Sequence, residues 1–490
     1  MLVAAGEKLS LYTHAPDSRV AKLTPGILPV PLQATPQQVC ARLGHGPGTV
    51  LLESSKAMPG LSGWSWVTGP SLALLETPDN GATVLRSSHG PDAELGRWAD
   101  PFDAISDVLA RLGGPAPGDA PDGLSFTGGL VGFLGYDLAR HVERLPEAAV
   151  PDPAWPWMQL HLCDHLFAFD HARAQWYFCS RRWAAFDIAG REAVWADSLA
   201  RAQGPDPDPG AFEVGPLASR TAPPRYLGQV QQVLDYIAAG DIFQANLSHR
   251  LEAPFAGDPF ALYTALTALN PAPFSAYLEG EDFALASVSP ERFLKLSPQG
   301  EVVARPIKGT LPRALHDAAQ DALQREALAA SEKDRAENLM IVDLMRNDLG
   351  RVAQVGSVKV DRLFELEAHP GVWQMVSTVR ARLREGVGVA GLLRACWPPG
   401  SMTGAPKVRA MEIIDTLEPV RRGPYAGAIG YFDAGGAMDL SVVIRTAMVH
   451  GDRVLLQVGG GVVADSRPQA ELDETHAKGR LLVQVMNPSS

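Results

Sequence analysis

Apolar and polar positions change rhythm near the middle of the chain. Before residue 200 the apolar residues come in short runs that predict strands: Thr49–Glu53, Ser71–Leu75 and Gln159–Cys163, with a hairpin pairing 164–170 with 175–180. One longer periodic stretch, Pro101–Leu112, predicts a helix. From residue 225 the helical period dominates. Arg225–Gly240 sets Tyr226, Val230, Val233, Leu234 and Ile237 on one side and stops at a glycine. A strand over 242–247 follows, then one long helix over 317–346, then a helix that begins near Thr403 as N-cap, with Pro406 in its first turn, and ends near Leu417. Alternation over Met438–Met448 and Arg453–Val458 predicts strands, and a last helix covers 469–485. The turn-rich stretch Gly204–Gly210 is the expected linker, giving a β-rich segment over 1–205 and a second domain over 222–487.

Size and charge narrow the classes. A chain of 490 residues exceeds what one hydrophobic core usually supports. The net charge of -12 and the absence of a Lys/Arg-rich stripe argue against a nucleic-acid partner. Four cysteines without C-x-x-C or zinc spacing fit a reduced, cytoplasmic protein. No apolar run reaches 18 residues and Met1–Ser10 has no leader pattern, so no membrane association is expected.

Candidate chemistry concentrates in the second half. In Arg305-Pro306-Ile307-Lys308-Gly309-Thr310, proline fixes the backbone before a lysine and glycine frees it afterwards. A lysine held there and partly dried can act as a nucleophile; a solvated turn lysine is the plainer alternative. Asp334 and Glu337 share one helix face, as do Glu471, Glu474 and Lys478 on the last helix. Two such faces could clamp Mg²⁺ with water completing its shell, or could simply be solvated. Alternation over 438–446 turns Asp439, Ser441, Val443 and Arg445 to one side, where Arg445 could bind a carboxylate or pair with Asp439. Gly459-Gly460-Gly461 could form an anion-binding nest or only a tight turn. Gly400–Gly404, with Thr403, suits an anion near a helix start.

These residues stand in blocks that resemble the chorismate-utilising enzymes, and within them the aminodeoxychorismate synthase component I branch. The blocks are 51–54 (LLES), 132–137 (GFLGYD), 240–244 (GDIFQ), 305–310 (RPIKGT), 334–353, 401–419, 427–432 (GAIGYF) and 457–466 (QVGGGVVADS). The resemblance implies an α+β fold of packed, mostly antiparallel β-sheets flanked by helices. It implies Mg²⁺ bound by Glu337 and Glu474, with Asp334 and Glu471 holding its waters. It assigns substrate binding to Thr403, Tyr431, Arg445, Gly460 and Gly461, and catalysis to Lys308, Thr310 and Lys478.

Lys308 separates the branches, since anthranilate synthases, the nearest alternative, resemble this chain but carry alanine there. The implied reaction converts chorismate and ammonia to 4-amino-4-deoxychorismate through a covalent lysine adduct. Gln244 stands where water-adding members have a basic lysine, and Gln374 where anthranilate synthases have a histidine. Leu52, Glu53 and Ser54, with Gly63–Trp66, resemble a tryptophan pocket, with core packing as the competing role. No glutaminase signature accompanies them, so the resemblance implies a separate glutamine amidotransferase subunit as the ammonia source.

Overall fold

The computed structural model describes residues 24–486 except 57, 59, 80, 89–92, 115–119, 187–188 and 370. The leaderless start at Met1–Ser10 and residue 487 of the second expected domain lie outside the described residues. Two large sheets, of 13 and 12 strands, organise the chain, and every pairing between their strands is antiparallel. The fold is α+β, as the resemblance implied. The first sheet joins Val50–Glu53 to Phe274–Glu279 and carries Thr446–His450, Arg453–Val462 and Gln244–Gly257 side by side. The second joins Gly129–Leu134 to Ala428–Asp433 and ends at Ile307–Pro312. Each sheet therefore takes strands from both sides of the 204–210 linker.

The sheets pack face to face. One continuous core holds Leu52, Leu285 and Leu455 from the first sheet with Leu130, Leu160 and Leu440 from the second. The outer face of the first sheet is covered by the helices Pro36–Leu43, Arg191–Ala202 and Pro259–Leu269, which bury Val39, Trp195 and Leu262 against it. A third, smaller core sets Tyr226, Val230 and Val233 of the helix Pro223–Ala238 against Leu247, Ile413, Ile414 and Leu472.

Several elements differ from the sequence reading in ways that shape the site. The long helix expected over 317–346 is two helices, Ala318–Ala330 and Glu332–Gly350. Ser331 closes one and opens the other, its hydroxyl accepting from the Asp334 N–H, so a local cap overrides a continuous apolar pattern. Thr403 is not an N-cap; the helix is Lys407–Leu417, and Thr403 follows a single 3₁₀ turn at Gly400–Met402. The strand expected over 438–448 is two strands in different sheets, Met438–Val442 and Thr446–His450. The chain crosses between sheets at 443–445, where Arg445 has φ +50°, so strand alternation does not orient its side chain.

Candidate active site

The site lies at the seam where the edge of the second sheet meets the glycine strand of the first. Lys308 lies within the strand Ile307–Pro312. Glu301–Arg305 and Ile307–Pro312 both pair with Val372–Arg382, and the register slips between Ile307 and Thr310. Lys308 and Gly309 form this bulge. Gly309 has φ +90°, and a Cβ there would lie 2.9 Å from Asp334 Cβ, so both conformation and space require glycine. The bulge aims Lys308 at the glycine strand, because a Cβ on Gly461 would sit 3.3 Å from Lys308 Nζ and 2.3 Å from Gln244 Nε2.

Lys308 is half-buried, and among the described residues its amine makes no hydrogen bond or ion pair. Burial pushes its pKa below the usual lysine value. Glu337 opposes that shift and Lys478 adds to it. Glu291, 5% exposed, accepts from the Ser401 hydroxyl and the Ile307 N–H; burial raises it to about 7 despite those bonds and the charges of Lys308 and Arg445. Arg445 is also depressed by burial, with Glu291 opposing, and its guanidinium has no hydrogen bond or ion pair among the described residues. Its expected alternative partner, Asp439, is taken by Arg292 at 2.8 Å.

The three glycines lie inside the strand Arg453–Val462 and form no turn or nest. The N–H groups of Asn246 and Ser248 go to Thr403 O (2.7 Å) and Glu418 Oε1 (2.8 Å). The residues facing them, Gly461 and Gly459, therefore turn their peptide groups away from that strand, while the Gly460 peptide faces Leu247 in the ladder. Lys478 donates to the Gly459 carbonyl at 3.2 Å, on this open side.

The acidic helix faces do meet. Lys333 Nζ lies 3.8 Å from both Glu337 on its own helix and Glu471 on the other. A Cβ on Gly460 would lie 3.1 Å from Glu471 Oε2 and 3.8 Å from Glu474 Oε1. Burial raises Glu337; Lys308 and Lys333 oppose this, while Glu474 and Asp334 add to it. Burial also works against Glu474, but Lys478, 2.7 Å away, together with Lys333 and Lys308 outweighs it and holds that carboxyl low. No three His, Cys, Asp or Glu groups among the described residues form a ready-made metal cage. The fit to Mg²⁺ rests on other grounds: Glu471 Oε2 is buried without a hydrogen-bond partner, and like charges crowd one spot. Mg²⁺ usually takes one or two carboxylates and leaves the rest to water and substrate, which this donor set suits.

Other expected residues are placed less centrally. Thr310 is exposed, paired across the sheet with Gln374, and its side chain makes no hydrogen bond among the described residues. Thr403 is 1% exposed and its hydroxyl donates to Gly400 O at 3.1 Å. Tyr431 points elsewhere, stacking on Phe126 and bonding Ser125 Oγ at 2.6 Å. It lines a separate cavity of about 100 Å³ with Leu52, Glu53, Ser54, Trp64 and Trp66. Within that cavity wall Glu53 is held from behind by Tyr263 (2.6 Å) and Gln37 (3.0 Å).

The tyrosine at the glycine strand is Tyr425, whose hydroxyl is 3.0 Å from where a Gly459 Cβ would stand. Tyr425, Glu291 and Lys333 were missed in sequence. None of the three is marked by periodicity, since Glu291 shares the stretch 283–296 with two other charges, Arg292 and Lys295.

The family model of chorismate binding enzymes matches residues 74–484. Aminodeoxychorismate synthase component 1 of Escherichia coli (strain K12) is 42% identical, with 91% of this chain and 95% of the relative aligned. Anthranilate synthase component 1 of Streptomyces coelicolor is 39% identical over 86% of this chain and 85% of the relative. The crystal structure of anthranilate synthase component I from Streptococcus pneumoniae TIGR4 superposes with a TM-score of 0.73 at 29% identity, covering 87% of this chain and 93% of that one. MenF, the menaquinone-specific isochorismate synthase from Escherichia coli, shares the fold with a TM-score of 0.72 at 17% identity over 95% and 97% of the two chains. The chain is thus a chorismate-utilising enzyme and belongs to the anthranilate/aminodeoxychorismate synthase component I family. No helix among the described residues is long and apolar enough to cross a membrane.

Proposed function

We propose that the protein is the chorismate-aminating component of an aminodeoxychorismate synthase, acting in the cytoplasm with a separate amidotransferase that releases ammonia from glutamine. The observation that carries this reading is the unpaired, partly dried amine of Lys308 beside Gln244 and Gly461. The neutral amine attacks C2 of chorismate, the two ring double bonds shift, and the C4–O bond breaks. Glu291, which holds a proton near neutral pH, gives it to the departing hydroxyl, which leaves as water. Ammonia then bonds to C4, the double bonds shift back and the C2–Nζ bond breaks, freeing Lys308 and giving 4-amino-4-deoxychorismate. Splitting one hard displacement into two is the general gain of covalent catalysis.

Arg445 and the Gly461 amide would hold substrate carboxylates. Glu337 and Glu474, backed by Asp334 and Glu471, would hold Mg²⁺, which supplies charge neutralisation at the substrate carboxylate. Gln244 is not basic enough to activate water, which favours ammonia as the second nucleophile.

The test is mass spectrometry of the protein incubated with chorismate and Mg²⁺ without ammonia. The expected adduct maps to Lys308 and weighs chorismate less one water. An adduct elsewhere, or anthranilate and pyruvate as products once ammonia is added, overturns the proposal.

A further inference from the structure

Lys333 stands where a helix does not welcome a cation. It is the second residue of the helix Glu332–Gly350, at the end where the helix dipole is positive. What keeps it there is the acidic cluster. Burial works against its charge, yet Glu337, Glu471, Glu474 and Asp334 together hold its pKa above the usual lysine value. Its Nζ is 3.8 Å from Glu337 Oε1 and 3.8 Å from Glu471 Oε1, making it the one ion-pairing side chain among the described residues that links the two carboxylate-bearing helices.

Two features suggest a replaceable partner. At 3.8 Å the amine is within electrostatic reach of both carboxylates but too far for a hydrogen bond to either. Its side chain is 47% exposed, so solvent is open to it. Two of the neighbouring carboxylates, by contrast, are held by hydroxyl groups. Ser466 donates to Glu471 Oε1 at 2.6 Å and Ser331 donates to Asp334 Oδ2 at 2.6 Å. Glu471 Oε2 is buried with no hydrogen-bond partner. The other nearby lysine is differently engaged, since Lys478 is bonded to Glu474 and to the Gly459 carbonyl.

We infer that Lys333 is an internal counter-ion, occupying the carboxylate cluster while the divalent metal is absent and swinging out to admit it. The inference rests on the metal reading given above. Through this lysine the protein weakens metal binding in the empty site, because each incoming ion must displace a charge already paired with Glu337 and Glu471. It also keeps the two acidic faces from repelling each other before substrate arrives.

The experiment uses Mn²⁺ as a paramagnetic probe, titrated into the full chain without chorismate and followed by electron paramagnetic resonance. Lys333→Met should bind Mn²⁺ at least about tenfold more tightly than the wild type, since a competing charge about 4 Å from the ligands is gone. Lys333→Arg should stay close to the wild type. In a thermal melt the metal-free Lys333→Met protein should unfold at a lower temperature than the wild type, and Mg²⁺ should close the gap. A lysine serving only to pack the helices would leave that gap open.

Unchanged or weaker Mn²⁺ binding by Lys333→Met overturns the inference and leaves the metal reading intact. If neither protein binds Mn²⁺ even with chorismate present, the metal reading falls and the inference with it. Lys333→Gln provides the same comparison should Lys333→Met not fold.

Discussion

Replacing Gly461 with alanine adds one methyl group between Gln244 and Lys308. Its carbon would stand 2.3 Å from Gln244 Nε2 and 3.3 Å from Lys308 Nζ. Comfortable contact needs roughly 3.5 Å, so the Gln244 amide must move about 1 Å and the Lys308 amine a few tenths of an ångström. Gln244 is 1% exposed and Lys308 is its neighbour across that point, so the displacement is passed to the lysine proposed as the nucleophile. The backbone itself does not object, because Gly461 lies in a regular strand outside the left-handed region. Loss of glycine's extra freedom in the unfolded chain even contributes about 0.4–1 kcal/mol in favour of the folded state.

Overpacking against buried Gln244 should outweigh that gain, so stability should fall by about 1–3 kcal/mol in urea unfolding. Turnover should fall about 100-fold, the usual consequence of an ångström-scale misplacement of reacting groups. The assay is chromatographic measurement of 4-amino-4-deoxychorismate with chorismate, Mg²⁺ and saturating ammonia. Gly228→Ala, in the helix Pro223–Ala238 with open space around it, serves as the control and should leave turnover unchanged. Wild-type kcat in Gly461→Ala would refute the placement of Lys308 against this strand.

Two further outcomes follow from buried charge. The Glu291 carboxyl is raised from an ordinary 4.5 to about 7, so the folded state binds its proton more tightly than the unfolded chain does. The stability this contributes is complete below pH 4.5 and is lost as pH rises through 7, a change of about 3 kcal/mol. Denaturant unfolding at pH 4.5 and pH 8 should show that loss in the wild type and a flatter dependence in Glu291→Gln; equal slopes would contradict it. Arg422 and Glu418, each 3% exposed, pair at 2.6 Å, and Arg422 also bonds Met402 O and Asn246 O. Arg422→Met strands the Glu418 carboxylate and should cost about 3–5 kcal/mol, partly recovered by adding Glu418→Gln. A loss under about 1 kcal/mol in the single variant would show the pair to be dispensable.

Local elements were legible wherever one interaction dominates. The helix Pro101–Leu112 lies where its period puts it because Asp100 caps it and Phe102, Ile105 and Val108 are all fully buried. The hairpin 165–170 with 175–180 follows from short apolar runs around a turn. Reading failed where a single residue outvotes a pattern. Ser331 divides a continuous amphipathic stretch, and the crossing at Arg445 interrupts an alternation that looks unbroken from 438 to 448. Hydrophobic period reports which face is buried; it does not report that one strand ends and the next belongs to another sheet.

The site shows the same division more sharply. Lys308 stands out in sequence between a proline and a glycine, and Glu337, Glu474 and Arg445 are candidates by helix spacing or strand alternation, but how these residues come together depends on register. Gly461 reaches Lys308 only because Asn246 faces it, and Asn246 faces it only because its own N–H is used by Thr403 on the other side. One residue of slip would bring Gly460 to that position and turn Gly461 toward the last helix. The same logic separates Tyr425 from Tyr431. Both lie in the stretch 424–433, yet Tyr431 is fixed inside a strand whose face looks into the core between the sheets, while Tyr425 precedes the strand and is free to reach Gly459. Lys333 is the limiting case, since its i,i+4 pairing with Glu337 looks like that of any solvated helix lysine and its second partner is a carboxylate 138 positions away on another helix. A long-range ion pair of that kind leaves no periodic trace, so its function becomes visible only when the two helices are seen together.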